Sequence, residues 1–239
     1  SSFISFIENS LNGQFADLAL HCYALIIEYP DFIQNMKPEK VMDICLGLPK
    51  SAEFILNCLN IILMVVTEYP LPHLYSSCES YISDILETPF VNHHELDIIF
   101  ECFISIASTK EFADSMKQTF LKSLDAMMKL VSLKTLGSLC NSFRAATILE
   151  SNELEYVKCI QDIADKFVEI LHEVPEMTPD EIFEDENKSL MYDNIVSIDL
   201  ALNFLIKEVP LLASHPIHQE ILKIQKIRMA IDGEEDTAY

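Results

Sequence analysis

Residues 51–70 read Ser-Ala-Glu-Phe-Ile-Leu-Asn-Cys-Leu-Asn-Ile-Ile-Leu-Met-Val-Val-Thr-Glu-Tyr-Pro, and the closing Glu68-Tyr69-Pro70 repeats Glu28-Tyr29-Pro30 at a spacing of 40. Two later segments end alike, in Glu173-Val174-Pro175 and Glu208-Val209-Pro210. The likeness extends back from each proline. Four and five residues before it stand Ile26 and Leu25, Val66 and Val65, Leu171 and Ile170, Ile206 and Leu205; eight before it stand Cys22, Ile62, Phe167 and Leu202. Those offsets fall on one helical face, and Leu25, Ile26, Val65, Val66, Ile170, Leu171, Leu205 and Ile206 are expected to be buried. Proline ends each helix because it has no N–H to give and disfavours helix in the residue before it.

Outward from this stretch, apolar residues recur at three- and four-residue spacing along almost the whole chain, with short Pro-, Asn- or Ser-containing breaks. The pattern predicts helices near 3–11, 14–29, 38–47, 51–68, 72–87, 93–108, 111–130, 132–149, 152–173, 188–208 and 216–231. Nothing alternates with period two for long enough to make a strand, so the expected class is all-α. A period near 40 built from helix pairs is the signature of armadillo and HEAT arrays, in which each pair buries its apolar face against its neighbours. The expectation is a single α-solenoid over residues 1–239. The segment 173–187, rich in acids and interrupted by Pro175 and Pro179, reads as an exposed acidic loop, and 232–239 as a frayed tail.

Phe15 to Pro30, then Asp31-Phe32-Ile33, the helix from Pro38 and the stretch Ser51 to Pro70 together resemble HEAT pairs of the importin and exportin (karyopherin-β) superfamily. The resemblance covers residues 1–90, and from Val91 to Leu149 no Glu-Tyr-Pro equivalent returns. It implies a superhelix of stacked helix pairs, and as an alternative function a nuclear transport factor fragment that recognises a small GTPase or cargo. The strong acidity of the chain suits that superfamily.

Composition removes other classes. The 239 residues carry 38 acidic against 16 basic side chains, a net charge of −22, and only Arg144 and Arg228 offer guanidinium groups. Such a chain repels a phosphate backbone, which excludes direct nucleic-acid binding. Half the residues are apolar, enough for a folded core. Four glycines and the lack of G-x-x-x-x-G-K-[ST], G-x-G-x-x-G and G-x-S-x-G exclude phosphate-cradling loops and nucleophile elbows. The most apolar stretch, Ile61 to Val66, is far shorter than the ~20 residues of a membrane-spanning helix. No signal peptide is visible, and the start Ser1-Ser2-Phe3, without Met, suggests a chain cut from a longer one or a processed start.

The seven cysteines are odd in number, and no pair forms C-x-x-C. Most stand in apolar helical stretches, as Cys58 does between Asn57 and Leu59, where a thiol acts as a small hydrophobe. Reduced core thiols in a cytoplasmic or nuclear protein are the expectation.

His93-His94-Glu95 with Asp97 is the one dense group of possible metal ligands. Metalloprotease chemistry needs His at i and i+4, whereas adjacent side chains diverge by about 100° around a helix. A helix start after Asn92, with acids near its positive end, accounts for the same residues, and a helical metal-dependent enzyme is kept as a remote alternative. No cofactor or metal site is expected. Asn57, Asn60, Asn141 and Asn203 keep no common register, so they form no peptide-binding ladder of the armadillo kind.

Lysines concentrate in one place. Lys110, Lys117, Lys122, Lys129 and Lys134 face only Glu111, Asp114 and Asp125 across the same span, which makes one locally basic helix on an acidic protein. A solvated face is the default reading. The sharper one is a partner surface formed by Lys117, Lys122, Lys129 and Arg144. The expected function is a non-enzymatic scaffold or adaptor that binds a segment or domain of another protein on a helical-repeat surface, with no membrane span.

Overall fold

The computed structural model describes residues 6, 9–11, 13–27, 29, 38–69, 71–107, 114–132, 135–148, 154–175, 178–189, 191–192, 195 and 209–235. Among the described residues every regular element is a helix, as the periodicity predicts. They are α1 (Ala16–Ile27), α2 (Pro38–Gly47), α3 (Ala52–Glu68), α4 (Pro72–Leu86), α5 (His93–Ala107), α6 (Asp114–Leu130), α7 (Leu136–Ile148), α8 (Leu154–His172), α9 (Pro179–Glu184), a 3₁₀ turn at Pro210–Leu212, and α10 (Ile217–Glu235). Most of the expected helices 3–11 and 188–208 lies outside the described residues, as do Pro30, Pro70, Leu202, Asn203, Leu205 and Ile206. The chain divides into two compact units, Ser1–Ala126 and Met127–Tyr239.

In the first unit α3 is the central helix, packed against α1, α2 and α5, while α2 also packs against α4. Eight of its residues are buried, among them Ile62 at 0 %, Val65 at 1 % and Val66 at 3 % exposure. Its end follows from its sequence. Tyr69 is extended (φ −130°, ψ 96°), as a residue before proline must be, and its N–H still bonds the Val65 carbonyl. Pro72 then opens α4, where a fixed φ and a missing N–H do no harm. Phe100 and Phe103 of α5 meet Phe120 of α6 edge-on, with ring centroids 5.9 and 5.8 Å apart. Such contacts add about 0.5–1.5 kcal/mol each beyond burial.

One expectation fails here. Leu25 and Ile26 match Val65 and Val66 in sequence, yet Leu25 is 48 % exposed and Ile26 half-buried. The reason is the number of neighbours among the described elements: α3 packs against α1, α2 and α5, whereas the main packing of α1 is with α3, and α1 buries Ala19, Leu20 and Tyr23.

In the second unit α8 packs against α7 and α10, and α10 against α9. Ile170 and Leu171 of α8 are buried as predicted, with Phe167 of α8 and Ile217, Ile221 and Ile224 of α10 also in this core. Lys223 Nζ donates to the Val174 carbonyl at 2.6 Å, beyond the C-terminal end of α8, where backbone oxygens lack helical partners.

The acidic segment is corrected too: it holds the short helix α9 instead of a loop. Thr178 accepts a hydrogen bond from the Glu181 N–H, and the Glu181 carboxylate accepts from the Thr178 N–H at 3.0 Å, a closed capping box. Pro179 stands in the first turn, where proline starts a helix instead of breaking it. At the other end, residues 232–235 continue α10, and 236–239 lie outside the described residues.

Candidate partner-binding surface

The basic residues picked out by the sequence sit on α6 and α7. Lys117 is half-buried and Lys122 exposed on the part of α6 that belongs to the first unit. Lys129, in the last turn of α6, and Arg144, on α7, are both exposed and belong to the second. Lys110 and Lys134 lie outside the described residues.

Lys122 has a defined setting. Its Nζ donates to Ser83 Oγ at 3.2 Å and lies 3.7 Å from Glu87 Oε1, at the C-terminal end of α4. The ammonium therefore sits where the carbonyl ends of α4 favour positive charge. With half of its side chain still exposed, the pair is worth no more than about 1 kcal/mol. One turn earlier on α6, the buried Thr119 donates to Glu79 Oε1 of α4 at 3.2 Å.

The edge of α4 was not legible as a site. Glu79 and Ser83 take donors from α6, and Asp84 takes the ammonium of Lys50, which also stands 5.9 Å over the Tyr81 ring. Elsewhere in the first unit, Thr67 of α3 bonds Ser105 of α5 at 3.0 Å. These links join residues 38, 40 and 39 apart for Thr67–Ser105, Glu79–Thr119 and Ser83–Lys122. The only sequence signal for them is the 40-residue echo itself.

The histidine pair is built into a helix start. Asn92 Oδ1 accepts from the His94 N–H at 2.8 Å, and Glu95 Oε2 accepts from the Asn92 N–H at 2.9 Å. Glu95 is 7 % exposed and directed back to this cap. The His93 and His94 rings lie 3.9 Å apart, tilted by 41°. Among the described residues no group of three or more His, Cys, Asp or Glu is arranged to hold a metal ion.

All seven cysteines are free thiols, and all but the half-buried Cys22 are buried. Cys58 Sγ donates to the Cys45 carbonyl at 3.7 Å. A hydrogen bond with the Cys58 side chain, together with burial, holds the Cys45 thiol well above its ordinary range. Burial pushes Cys78 up to about 12 and raises Cys102 well above the usual thiol value. Cys45, Cys78 and Cys102 are therefore neutral at pH 7, which suits packing and not nucleophilic attack.

Among the described residues no helix is long and apolar enough to cross a membrane. Comparison with protein-family models, with curated proteins and with solved structures finds no match to this chain.

Proposed function

We propose that this chain is a non-enzymatic protein-interaction scaffold, built as an armadillo/HEAT-like stack of helix pairs, that binds a segment or domain of another protein. The observation that carries the reading is the agreement of two independent periods in the first unit. The sequence echoes at 40 residues, and the polar links α3–α5 and α4–α6 join residues 38 to 40 apart. Helices that each bond the element two places on in the chain form a row, and a row of repeats offers a long side surface to a partner. Acidic faces steer basic partners, and the lysines of α6 are the least common charge on such a surface. Free thiols throughout fit a reducing compartment, cytoplasm or nucleus.

The test is capture from a cell extract on the immobilised chain, followed by binding kinetics of the captured protein with wild type and with Lys122→Glu/Lys129→Glu. The expected result is a stoichiometric protein partner whose association slows in the double variant, with the difference shrinking as salt rises. Unchanged kinetics at low salt would remove the α6 surface from the proposal. Failure of the chain to retain any protein stoichiometrically would remove the scaffold reading. GTP-dependent retention of a small GTPase would favour the transport alternative.

A further inference from the structure

The helix α1 carries two apolar faces. Ala19, Leu20 and Tyr23 are buried, and α1 packs against α3. The second face runs Leu18, Cys22, Leu25, and Phe15 and Tyr29, just outside the helix, continue it in sequence at spacings of 3, 4, 3 and 4. Phe15, Leu18, Leu25 and Tyr29 are 64 %, 58 %, 48 % and 63 % exposed, and Cys22 is half-buried between them. The aromatic residues stand at the two ends of the helix: the Phe15 carbonyl accepts from the Ala19 N–H at 2.9 Å, and the Tyr29 N–H bonds the Ile26 carbonyl at 3.0 Å. A 3-4-3-4 apolar stripe is the seam that two helices bury against each other.

We propose that this stripe is a self-association surface, on which α1 of a second copy of this chain packs antiparallel. Two observations select a second copy as the occupant, and a third sets how tightly it binds. In residue type the stripe reads the same in both directions, aromatic, Leu, Cys, Leu, aromatic, with the two leucines offset by one residue, so a two-fold axis near its centre sets like against like. Phe15 meets the partner's Tyr29, Leu18 meets the partner's Leu25, and Cys22 comes close to the partner's Cys22. A two-fold interface requires such a self-complementary patch.

Charge is the second. Two copies at −22 each approach most readily where carboxylates are few, and from Phe15 to Tyr29 the formally charged side chains are Asp17 and Glu28, neither of them a member of the stripe. Area is the third. Counting ~150–250 Å² for each aromatic and somewhat less for leucine, the exposed parts sum to about 450 Å² per copy, or about 900 Å² for the pair. Specific interfaces begin at about 1,000 Å², so the dimer is weak and dissociates on dilution.

Sedimentation equilibrium of the full chain tests this. The expected result is a monomer at about 1 µM that passes to dimer towards about 100 µM. The dimer strengthens with added salt, because salt screens the repulsion between like-charged copies. Leu18→Glu/Leu25→Glu should hold the chain monomeric throughout with unchanged circular dichroism, both positions being exposed. As a measurement that needs no substitution in the seam, a short bis-maleimide should join wild-type chains through Cys22, and Cys22→Ser should abolish the product. A chain that stays monomeric at every concentration overturns the proposal, as it would if the stripe were covered by its own chain or by a different protein. A dimer that persists in the double variant, or a crosslink that survives Cys22→Ser, overturns it equally.

Discussion

Thr119 and Glu79 stand 40 residues apart in sequence and 3.2 Å apart in space, the hydroxyl of one helix donating to the carboxylate of another. Thr119 is 3 % exposed, so its hydroxyl has little access to water. The bond fixes where α6 lies along α4, and Lys122 repeats the attachment one turn on, at Ser83.

Replacing Thr119 with Val keeps its shape and removes the donor. The expected loss is about 1–3 kcal/mol, because a partly buried carboxylate then lacks a bond it makes in the native state. Urea unfolding followed by circular dichroism measures it. Wild-type stability in the variant would mean that water replaces the hydroxyl at no cost.

The two Glu-Tyr-Pro helices allow a matched pair of substitutions. Val65→Asp strands a charge in the core and should cost several kcal/mol, enough to unfold the first unit. Leu25→Asp, at the same distance from its own proline, should change stability by less than about 0.5 kcal/mol when measured at low protein concentration. Equal losses would show that α1 is as enclosed as α3.

Most helix boundaries were legible because Pro72, Asn92 and the Tyr-Pro pair act locally, through φ, missing N–H groups and caps. Burial was less so. Leu25 and Val65 stand at the same distance before their Glu-Tyr-Pro, and what separates them is how many helices surround each, which no local pattern encodes. The α9 helix was legible in principle: Thr178-Pro179-Asp180-Glu181 spells a capping box with proline in the first turn. Counting Pro179 as a breaker and the acids as a solvated run hid it. Of the candidate surface, the lysines were visible but their partners on α4 were not, because Ser83 and Glu87 are brought to Lys122 only by packing.

Asn92 and Glu95 form one unit at the start of α5. Asn92→Ala should cost about 1 kcal/mol through loss of the bond from the His94 N–H. Glu95→Gln keeps an acceptor for the Asn92 N–H and should cost less, while His93→Ala should leave thermal stability nearly unchanged. A loss on His93→Ala as large as that on Asn92→Ala would give the imidazole pair a role that the cap does not explain.

The α9 capping box should respond to acid. The hydrogen bond from Lys188, then the bond from the Thr178 N–H, lowers the Glu181 carboxyl from an ordinary 4.5 to about 2. A lowered folded-state value stabilises the helix above the ordinary value and ceases to do so as pH falls towards the lowered one. The Thr178 and Glu181 amide signals should therefore hold their helical positions at pH 5 and shift between about pH 4.5 and about 2. In Glu181→Gln the transition should vanish. A midpoint near 4.5 in the wild type would mean that the Lys188 contact does not persist in solution.

Six of the seven sulfurs are enclosed, four in the first unit and two in the second. A maleimide added to the folded protein should therefore mark Cys22 at once and reach each other thiol only when the helices around it part. Peptide mapping of labelled samples taken over hours would then give a separate clock for each half of the molecule. Cys58 and Cys102 would time the opening of one unit, Cys140 and Cys159 that of the other, and whether the clocks run together tells whether the two units unfold in a single event.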